Sequence, residues 1–226
     1  YIIFFRPLPN RPEPLLAGVL YLPQMTTQFD LTLRPEESIF FSRNDLNDPR
    51  LGEIVRRSPD HYEKADIVII GCPQDEGVRR NGGRVGAAEA PAAIRKQFYK
   101  LTSFNIRKRI FDLGDVKWVN SLEDTHDAMT EVVKAVLKDG KRVIVLGGGN
   151  DISYADGKAM SEVFGHEWWI GVNIDAHLDV RLSEERNSGT PYRQLLDEGL
   201  LLPKYFYEVG YQSHLTSPIY YEYIRE

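Results

Sequence analysis

The sequence predicts an α/β protein built around a parallel sheet, and three observations support this. Short apolar runs rich in β-branched residues, such as 66–71 and 142–146, alternate with longer amphipathic segments. Strands that alternate with helices of this length are typical of βαβ units, whose strands are parallel. Polar, glycine-bearing loops follow three of the strands, at 72–86, 147–151 and 175–190. Ligands bind beyond the carboxyl ends of such strands, so these loops are where a site is expected.

The first predicted strand, 66–71, is an apolar run that ends in Gly-Cys-Pro. Such a run is typical of a strand buried on both faces. A polar, glycine-rich loop is expected over 74–86. A helix is predicted at 88–101, where Pro91 is tolerated in the first turn, and the second strand is predicted at 109–116.

A long helix is predicted to begin at Ser121 and to end at Gly140. Asp124 follows Ser121 by three residues, which makes a loose capping box, and glycine commonly terminates helices. One apolar stripe runs along this helix, as expected for a helix that packs against a core. The stripe consists of Met129, Val132, Val133, Val136 and Leu137.

The second half of the chain continues the alternation of strands and helices. Further strands are predicted at 142–146, 168–174 and 205–209, and further helices at 152–164 and 191–199. The segment 219–225 is typical of part of an amphipathic helix.

The composition is that of a globular protein and excludes several classes of function. The 226 residues (25.9 kDa) are 42% hydrophobic and 27% charged, enough for one domain or at most two small ones. The net charge of −5 argues against nucleic acid or an anionic membrane as a partner. The single cysteine, Cys72, excludes an intrachain disulfide and fits a reducing, cytoplasmic environment. No apolar run reaches the ~18–20 residues that span a bilayer.

Both ends of the sequence have the character of a fragment. Residues 1–24 contain five prolines, so we expect an extended or disordered leader there, with the folded domain over 25–226. The first residue is Tyr1 rather than methionine, and the amphipathic segment at 219–225 stops without a cap. We therefore expect the domain to be incomplete at its C-terminus.

The strongest chemical motif is NIDAHLD at 173–179, in which Asp175, His177 and Asp179 alternate with apolar residues. In an extended chain, residues two apart project from the same side, so two carboxylates and an imidazole are expected to point together. These donors suit Mn²⁺, Fe²⁺ or Zn²⁺. The alternative is a solvated loop, but unneutralised charges beside the apolar strand at 168–174 would be costly.

Two other loops are candidates for ligand contacts. The segment 147–151 (GGGND) allows the backbone to approach a ligand closely, or is simply a tight turn. Neither it nor 81–86 (NGGRVG) matches the G-x-G-x-x-G fingerprint of a dinucleotide site. Arg79, Arg80 and Arg84 lie among glycines, where they either clamp a carboxylate-bearing substrate or face solvent.

Four segments considered together give the chain a family resemblance. They are GCPQDEGVRRNGGRVGAAEAPAAIR (71–95), VLGGGND (145–151), NIDAHLDVR (173–181) and NSGTPYRQLL (187–196). With these segments the chain resembles the ureohydrolase (arginase/agmatinase) family, and within it the formimidoylglutamase branch. NIDAHLDVR is highly specific, and its place after a triple-glycine turn follows the family order.

The resemblance implies a three-layer α/β/α sandwich around a mostly parallel sheet, here truncated at its C-terminus. It also implies two Mn²⁺ ions bridged by hydroxide. By the same resemblance Asp175 bridges both metals, His177 binds the second, and Asp179 binds the first. Asp179 and His177 are the expected catalytic residues, and Asp179 is expected to pass the proton of the hydroxide to the leaving amine.

The sequence departs from the family pattern in two places. Asn150 stands where the first metal usually has a histidine ligand, and an amide oxygen is a poorer ligand for most transition metals. We therefore expect weaker binding of the first metal. The later D-x-D motif that supplies the last two ligands is absent from 214–226. Residues 1–226 alone are thus expected to bind metal poorly and to be inactive.

The implied reaction is metal-dependent hydrolysis of a linear amidine in histidine degradation. N-formimidoyl-L-glutamate and water would give L-glutamate and formamide. The substrate carries two carboxylates, and the candidate substrate-binding residues are Arg84, Arg79, Arg80, Arg193, Asn187, Ser188 and Thr190. Arginases tend to have a histidine–glycine pair where Ser188-Gly189 falls, which favours the formimidoyl substrate.

Two alternatives stay open at this point. One is another ureohydrolase, such as an agmatinase, an arginase or a guanidino-acid hydrolase. The other is a metal-poor pseudoenzyme with a binding or regulatory role, for which Asn150 is the best support. The expected partner is a small-molecule substrate, without nucleic acid or membrane, and homo-oligomers are common in the family. Outside the motifs, His126 is expected on a solvated helix face and Cys72 in the core.

Overall fold

A computed structural model describes residues 27–225 of the protein, so the predicted leader at 1–24 lies outside the described residues. Four strands form the larger sheet: β1 (Thr32–Leu33), β2 (Ile67–Cys72), β3 (Ile110–Val116) and β4 (Arg142–Gly147). Their order is β1-β3-β2-β4. β2 pairs in parallel with both β3 and β4, whereas the short β1 pairs antiparallel with β3. The prediction of a mostly parallel sheet is confirmed.

Two further strands form a separate parallel pair. They are β5 (Gly171–Ile174) and β6 (Phe206–Val209), with Asn173 opposite Glu208 in the register. Within residues 27–225, no strand pairing joins this pair to the larger sheet. The two sheets are therefore connected through helices and loops rather than through backbone ladders.

Seven α-helices lie between and around the strands. They are α1 (Leu51–Ile54), α2 (Glu76–Arg80), α3 (Ala90–Phe98), α4 (Leu122–Lys138), α5 (Ile152–Phe164), α6 (Pro191–Asp197) and α7 (Pro218–Tyr223). The predicted helices all form, with ends that move by a few residues. α2 corrects the prediction of a continuous loop over 74–86. Across the described residues, no helix is both long and apolar enough to cross a bilayer.

Helices cover both faces of the larger sheet, which gives three layers. Val68 and Ile70 of β2 pack on one side, in a core that α4 and α5 complete. Ile69 between them packs on the other side, with residues of α1 and with Tyr99 just after α3. This alternation is the two-residue period of a strand buried on both faces. Cys72, at the end of β2, is buried as expected.

α4 follows from its sequence in detail. The Ser121 side chain accepts a hydrogen bond from the backbone N–H of Asp124 at 3.0 Å, so the Ser121 half of the predicted capping box is present. A cap of this kind stabilises a helix by about 1 kcal/mol. The predicted stripe is buried against the sheet, and the chain leaves the helix at Gly140, whose φ of 71° glycine adopts without strain.

α5 begins directly after the triple-glycine turn and is buried on several sides. Ile152 and Ala155 pack into the core of the larger sheet. Tyr154 and Met160 pack into a second core, formed with α6 and the region of β5 and β6. This helix therefore contributes to both cores, and the glycine turn that precedes it lies next to both.

Candidate metal centre

The three predicted loops meet at the carboxyl ends of the strands. The backbone N–H of Gly149 donates to the carbonyl of Gln74 at 2.9 Å, which joins the loop after β4 to the loop after β2. The backbone N–H of Ser188 donates to the carbonyl of Gly77 at 3.0 Å, which joins the loop after β5 to α2. The expected convergence of these loops is therefore present.

The glycine turn is required by contacts between the loops. A Cβ atom at Gly148 would lie 2.2 Å from the carbonyl oxygen of Gln74 and 2.5 Å from that of Cys72. Neither distance can be accommodated without moving the backbone. The close backbone approach that the sequence suggested for a ligand is thus used, at this position, to pack one loop on another.

Asn150 lies buried between two of these loops. Its side-chain NH₂ donates a hydrogen bond to Asp179 Oδ2 and lies 3.5 Å from the carbonyl oxygen of Ser188. Its Oδ1 accepts from the Ser153 hydroxyl at 3.0 Å. Asn150 and Asp179, which are far apart in sequence, are therefore direct neighbours.

The chain turns immediately after β5, so the expected extended arrangement of the triplet is wrong. β5 ends at Ile174, and Asp175 Oδ1 accepts the backbone N–H of His177 at 2.8 Å. The same oxygen lies 3.1 Å from His177 Nδ1. The His177 side chain is 58% exposed, whereas that of Asp175 is 14% exposed. An Asp carboxylate that accepts hydrogen bonds from the backbone N–H groups that follow it is typical of turns.

Asp179 is the most perturbed acid of the triplet. Its φ of 49° lies in the left-handed region, which Asp tolerates better than most residues. Burial, reinforced by the charge of Asp175, raises its pKa to about 7, against the opposing effect of His177. The two carboxylates therefore lie close enough for the charge of Asp175 to act on Asp179.

A third acid near the triplet was not found by sequence reasoning. The Asn173 side-chain amide donates to Glu208 Oε2 at 2.9 Å, across the β5–β6 pair. Burial, reinforced by the charges of Asp179 and Asp175, raises the pKa of Glu208 to about 8, against the opposing effect of the Asn173 hydrogen bond. A single glutamate inside a short strand carries no motif, so only the β5–β6 register reveals it.

The donor set fits a divalent cation by its chemistry. Asp175 and Asp179 supply carboxylates, His177 an imidazole and Asn150 an amide, a combination suited to Mn²⁺. Rotation of the Asn150 amide would turn its oxygen towards Asp179, because the Ser153 hydroxyl can donate or accept. In the part of the chain described, no three His, Cys, Asp or Glu side chains stand close enough to hold a metal ion.

The predicted arginine anchors divide into two groups. Three of them already bind carboxylates of this chain, in the pairs Arg79–Glu76, Arg80–Glu123 and Arg193–Asp197. Arg84 is exposed and forms no ion pair within residues 27–225. Arg84 is therefore the predicted arginine whose charge is most available to a carboxylate substrate.

The predicted neutral contacts also differ among themselves. Asn187 and Thr190 are buried and close their own turn, where Asn187 Oδ1 accepts the N–H of Gly189 at 3.0 Å. The Thr190 hydroxyl donates to the carbonyl of Asn187 at 3.0 Å. Ser188 is partly buried, and its hydroxyl accepts from the Asn81 side chain at 3.0 Å. Ser188 thus faces the loop that carries Arg84.

His126 is buried, and the expectation of a solvated position is wrong. Its Nε2 lies 2.8 Å from Asp151 Oδ2, and its side chain is 0% exposed. The helical period could have shown this, because His126 precedes Met129 by three residues and Val133 by seven. It therefore belongs to the apolar stripe of α4.

Comparison with known proteins agrees with this fold. Residues 65–226 match the Arginase family, and the chain belongs to that family. Formimidoylglutamase from Salmonella schwarzengrund (strain CVM19633) is 40% identical over 153 residues, which cover 65% of this chain and 48% of the relative. Formimidoylglutamase from Salmonella arizonae is 40% identical over 150 residues, with the same coverage. The chain spans about half the length of the curated relatives it matches.

Solved structures give the same result. The crystal structure of Trypanosoma cruzi formiminoglutamase with Mn²⁺ has a TM-score of 0.72 and 42% identity, covering 79% of this chain and 62% of that one. Formimidoylglutamase from Bacillus subtilis has a TM-score of 0.72 at 24% identity, over 82% of this chain and 60% of that one, which supports the fold alone. The predicted arginase-like α/β/α architecture and the similarity to formimidoylglutamases are confirmed.

Proposed function

We propose that the protein hydrolyses N-formimidoyl-L-glutamate to L-glutamate and formamide with the help of two Mn²⁺ ions. One observation carries the proposal. The NIDAHLDVR loop brings Asp179 into contact with Asn150 at the carboxyl ends of the strands, in a chain about 40% identical to formimidoylglutamases. The Mn²⁺ in the T. cruzi structure supports the choice of metal.

Four residues of this chain would hold the metal ions. Asp175 is proposed to bridge both, His177 to bind the second, and Asp179 and Asn150 to bind the first. When bound, two such ions lower the pKa of a water molecule and so provide a nucleophile near neutral pH.

Hydrolysis requires one bond to form and one to break. The water oxygen bonds to the amidine carbon, and the bond from that carbon to the glutamate nitrogen breaks. Of the two protons of the water, one must reach the departing nitrogen and the other the nitrogen that stays in formamide. Asp179 is proposed to carry the proton to the departing nitrogen, because a carboxylate within hydrogen-bond reach of both groups can accept and return a proton. His177 is the second proposed catalytic residue, and its exposed imidazole is accessible to a substrate.

Arg84 is the proposed principal anchor for the two substrate carboxylates. A guanidinium binds a carboxylate through two parallel hydrogen bonds, which orients as well as attracts it. Ser188, whose neighbour Asn81 lies on the same loop as Arg84, is the proposed neutral contact. We propose that the other predicted contacts support the shape of the site rather than act as the main substrate contacts. These residues are Arg79, Arg80, Arg193, Asn187 and Thr190.

A substrate panel tests the proposal. The purified natural protein, loaded with Mn²⁺, is assayed with formimidoylglutamate, agmatine, arginine and guanidinobutyrate, and its metal content is measured. We expect turnover of formimidoylglutamate alone and about two Mn²⁺ per chain. Preference for another compound would indicate a different ureohydrolase. A protein that binds no Mn²⁺ and turns over none of the four would instead be a pseudoenzyme.

A further inference from the structure

Asp151 places a carboxylate behind the glycine turn at 147–149. The residue is 1% exposed. Its Oδ2 accepts a hydrogen bond from the Gln74 side-chain amide at 2.5 Å and lies 2.8 Å from His126 Nε2. Its Oδ1 has no hydrogen-bond partner among the described residues. A single buried carboxylate thus connects the loop after β2, the loop after β4 and helix α4.

Two glycines leave room for this carboxylate. A Cβ atom at Gly77 would lie 2.1 Å from Asp151 Oδ1, and one at Gly149 would lie 2.2 Å from it. Any side chain at either position would displace Asp151. The second residue of α2 and the last glycine of the turn are therefore both matched in shape to this carboxylate oxygen.

The buried pair formed by His126 and Asp151 is energetically costly. Moving an ionised group out of water costs several kcal/mol, and apolar residues of similar volume often replace buried ion pairs without loss of stability. His126 is the basic side chain in contact with Asp151, and both are buried. Stability alone does not account for the pair, so a role in the neighbouring site is the better explanation.

The pair lies directly behind a proposed metal ligand. Asp151 is the residue after Asn150 and stands at the start of α5. Fixing the Asp151 side chain fixes the backbone of the turn, and with it the direction of the Asn150 side chain towards Asp179. We propose that His126 and Asp151 are positioning residues that aim Asn150 at the first metal site. This inference rests on the proposed function, because Asn150 is a ligand only there.

Metal binding tests the inference without relying on activity. Asp151→Asn and His126→Gln are made in the natural protein, and Mn²⁺ binding is measured from the electron paramagnetic resonance signal of the free ion. Groups that support a metal ligand typically contribute about 10–100-fold to affinity. We expect one class of Mn²⁺ site to weaken by about tenfold or more and the other to stay unchanged. Asp127→Asn, which changes the exposed acid beside His126, is the control and should alter neither class.

The possible outcomes are distinct. Selective weakening of one class of site in both variants supports the positioning role. Unchanged affinity at both classes overturns it. Equal weakening of both classes, or variants whose circular dichroism shows that they do not fold, also overturns it, because the pair would then serve the fold in general. If the unaltered protein binds no Mn²⁺, the proposed function itself fails and this inference fails with it.

Discussion

The Asn150 side-chain amide donates a hydrogen bond to the Asp179 carboxylate, although the two residues belong to loops that follow different strands. The contact places a neutral donor against the most perturbed acid of the triplet. A neutral amide can satisfy a carboxylate in the absence of metal and can turn its oxygen towards a cation when one binds. We therefore expect the affinity of the proposed first metal site to depend on the residue at position 150.

Replacing Asn150 by histidine should strengthen metal binding. Imidazole nitrogen is a better ligand than a neutral amide oxygen for most transition metals. We expect Asn150→His to lower the Kd of the weaker Mn²⁺ site by about tenfold, equivalent to about 1.4 kcal/mol. Titration of the natural protein and of its Asn150→His variant with Mn²⁺ checks this.

Ser153→Ala is the matched control, since it removes only the hydroxyl that contacts Asn150. It should change the weaker site much less than Asn150→His does. Equal Kd values for the unaltered protein and Asn150→His would show that position 150 does not limit metal binding.

Loss of the Arg84 guanidinium should weaken substrate binding. A hydrogen bond between charged groups contributes about 1.5–3 kcal/mol, so Arg84→Ala should raise the KM for formimidoylglutamate by about tenfold or more with little change in kcat. Steady-state kinetics separate the two constants. Arg107→Ala, an exposed arginine before β3 at the other end of the sheet, is the control. An unchanged KM for Arg84→Ala would remove Arg84 from the site.

Stability should fall with rising pH because of Asp156 in α5. This carboxyl is buried, its Oδ1 has no hydrogen-bond partner in the described structure, and burial raises its pKa to about 8 from a usual 3.8. A pKa raised by folding means that the folded state keeps the proton longer. Stability is then fully present below the usual pKa and is lost as the pH rises through about 8.

Asp156→Asn removes this titration while keeping the shape of the side chain. Urea unfolding should show similar stability for both proteins near pH 4, and an advantage for the variant of more than about 1 kcal/mol at pH 8. Asp127→Asn, at an exposed position, should show no such trend. A difference that does not depend on pH would contradict the assignment.

The Arg95 network should be far more important for stability than any surface ion pair. Arg95 and Asp112 have fully buried side chains, joined by two hydrogen bonds of 2.9 and 3.0 Å. Arg95→Met would leave Asp112 buried without its cation, which typically costs about 3–5 kcal/mol.

Arg109→Met provides the comparison, because Arg109 pairs with Asp66 at the surface and is 62% exposed. Its expected cost is below about 1 kcal/mol. Chemical denaturation of both variants measures the difference. Losses of similar size would show that the buried network does not stabilise the fold as argued.

Most of the architecture could be predicted from the sequence because it depends on long periodic patterns of apolar residues. The β-branched run of β2 and the stripe of α4 each predict an element and the side that it buries. β1 and α1 were missed because elements of two and four residues carry no periodicity. α2 was missed because its glycine and two arginines resemble a loop, and its position depends on Gly77 packing against Asp151.

The sequence predicts which residues belong to the candidate site, but it does not predict how their side chains are arranged. Asp175, His177 and Asp179 stand out by spacing, yet the left-handed φ of Asp179 breaks the alternation that the spacing assumes. Contacts such as Asn150 with Asp179 and His126 with Asp151 join distant loops. They follow from tertiary packing, which no local pattern records.

The position of α5 also has a consequence for how the protein unfolds. Ile152 and Ala155 face one core while Tyr154 and Met160 face the other. Because α5 contributes apolar side chains to both cores, neither core can lose its packing against this helix without exposing surface next to the other, and we expect the two to unfold together despite their separate strand ladders. The contact between Asn150 and Asp179 should then depend on the packing of α5 against both cores, because Asn150 lies just before this helix.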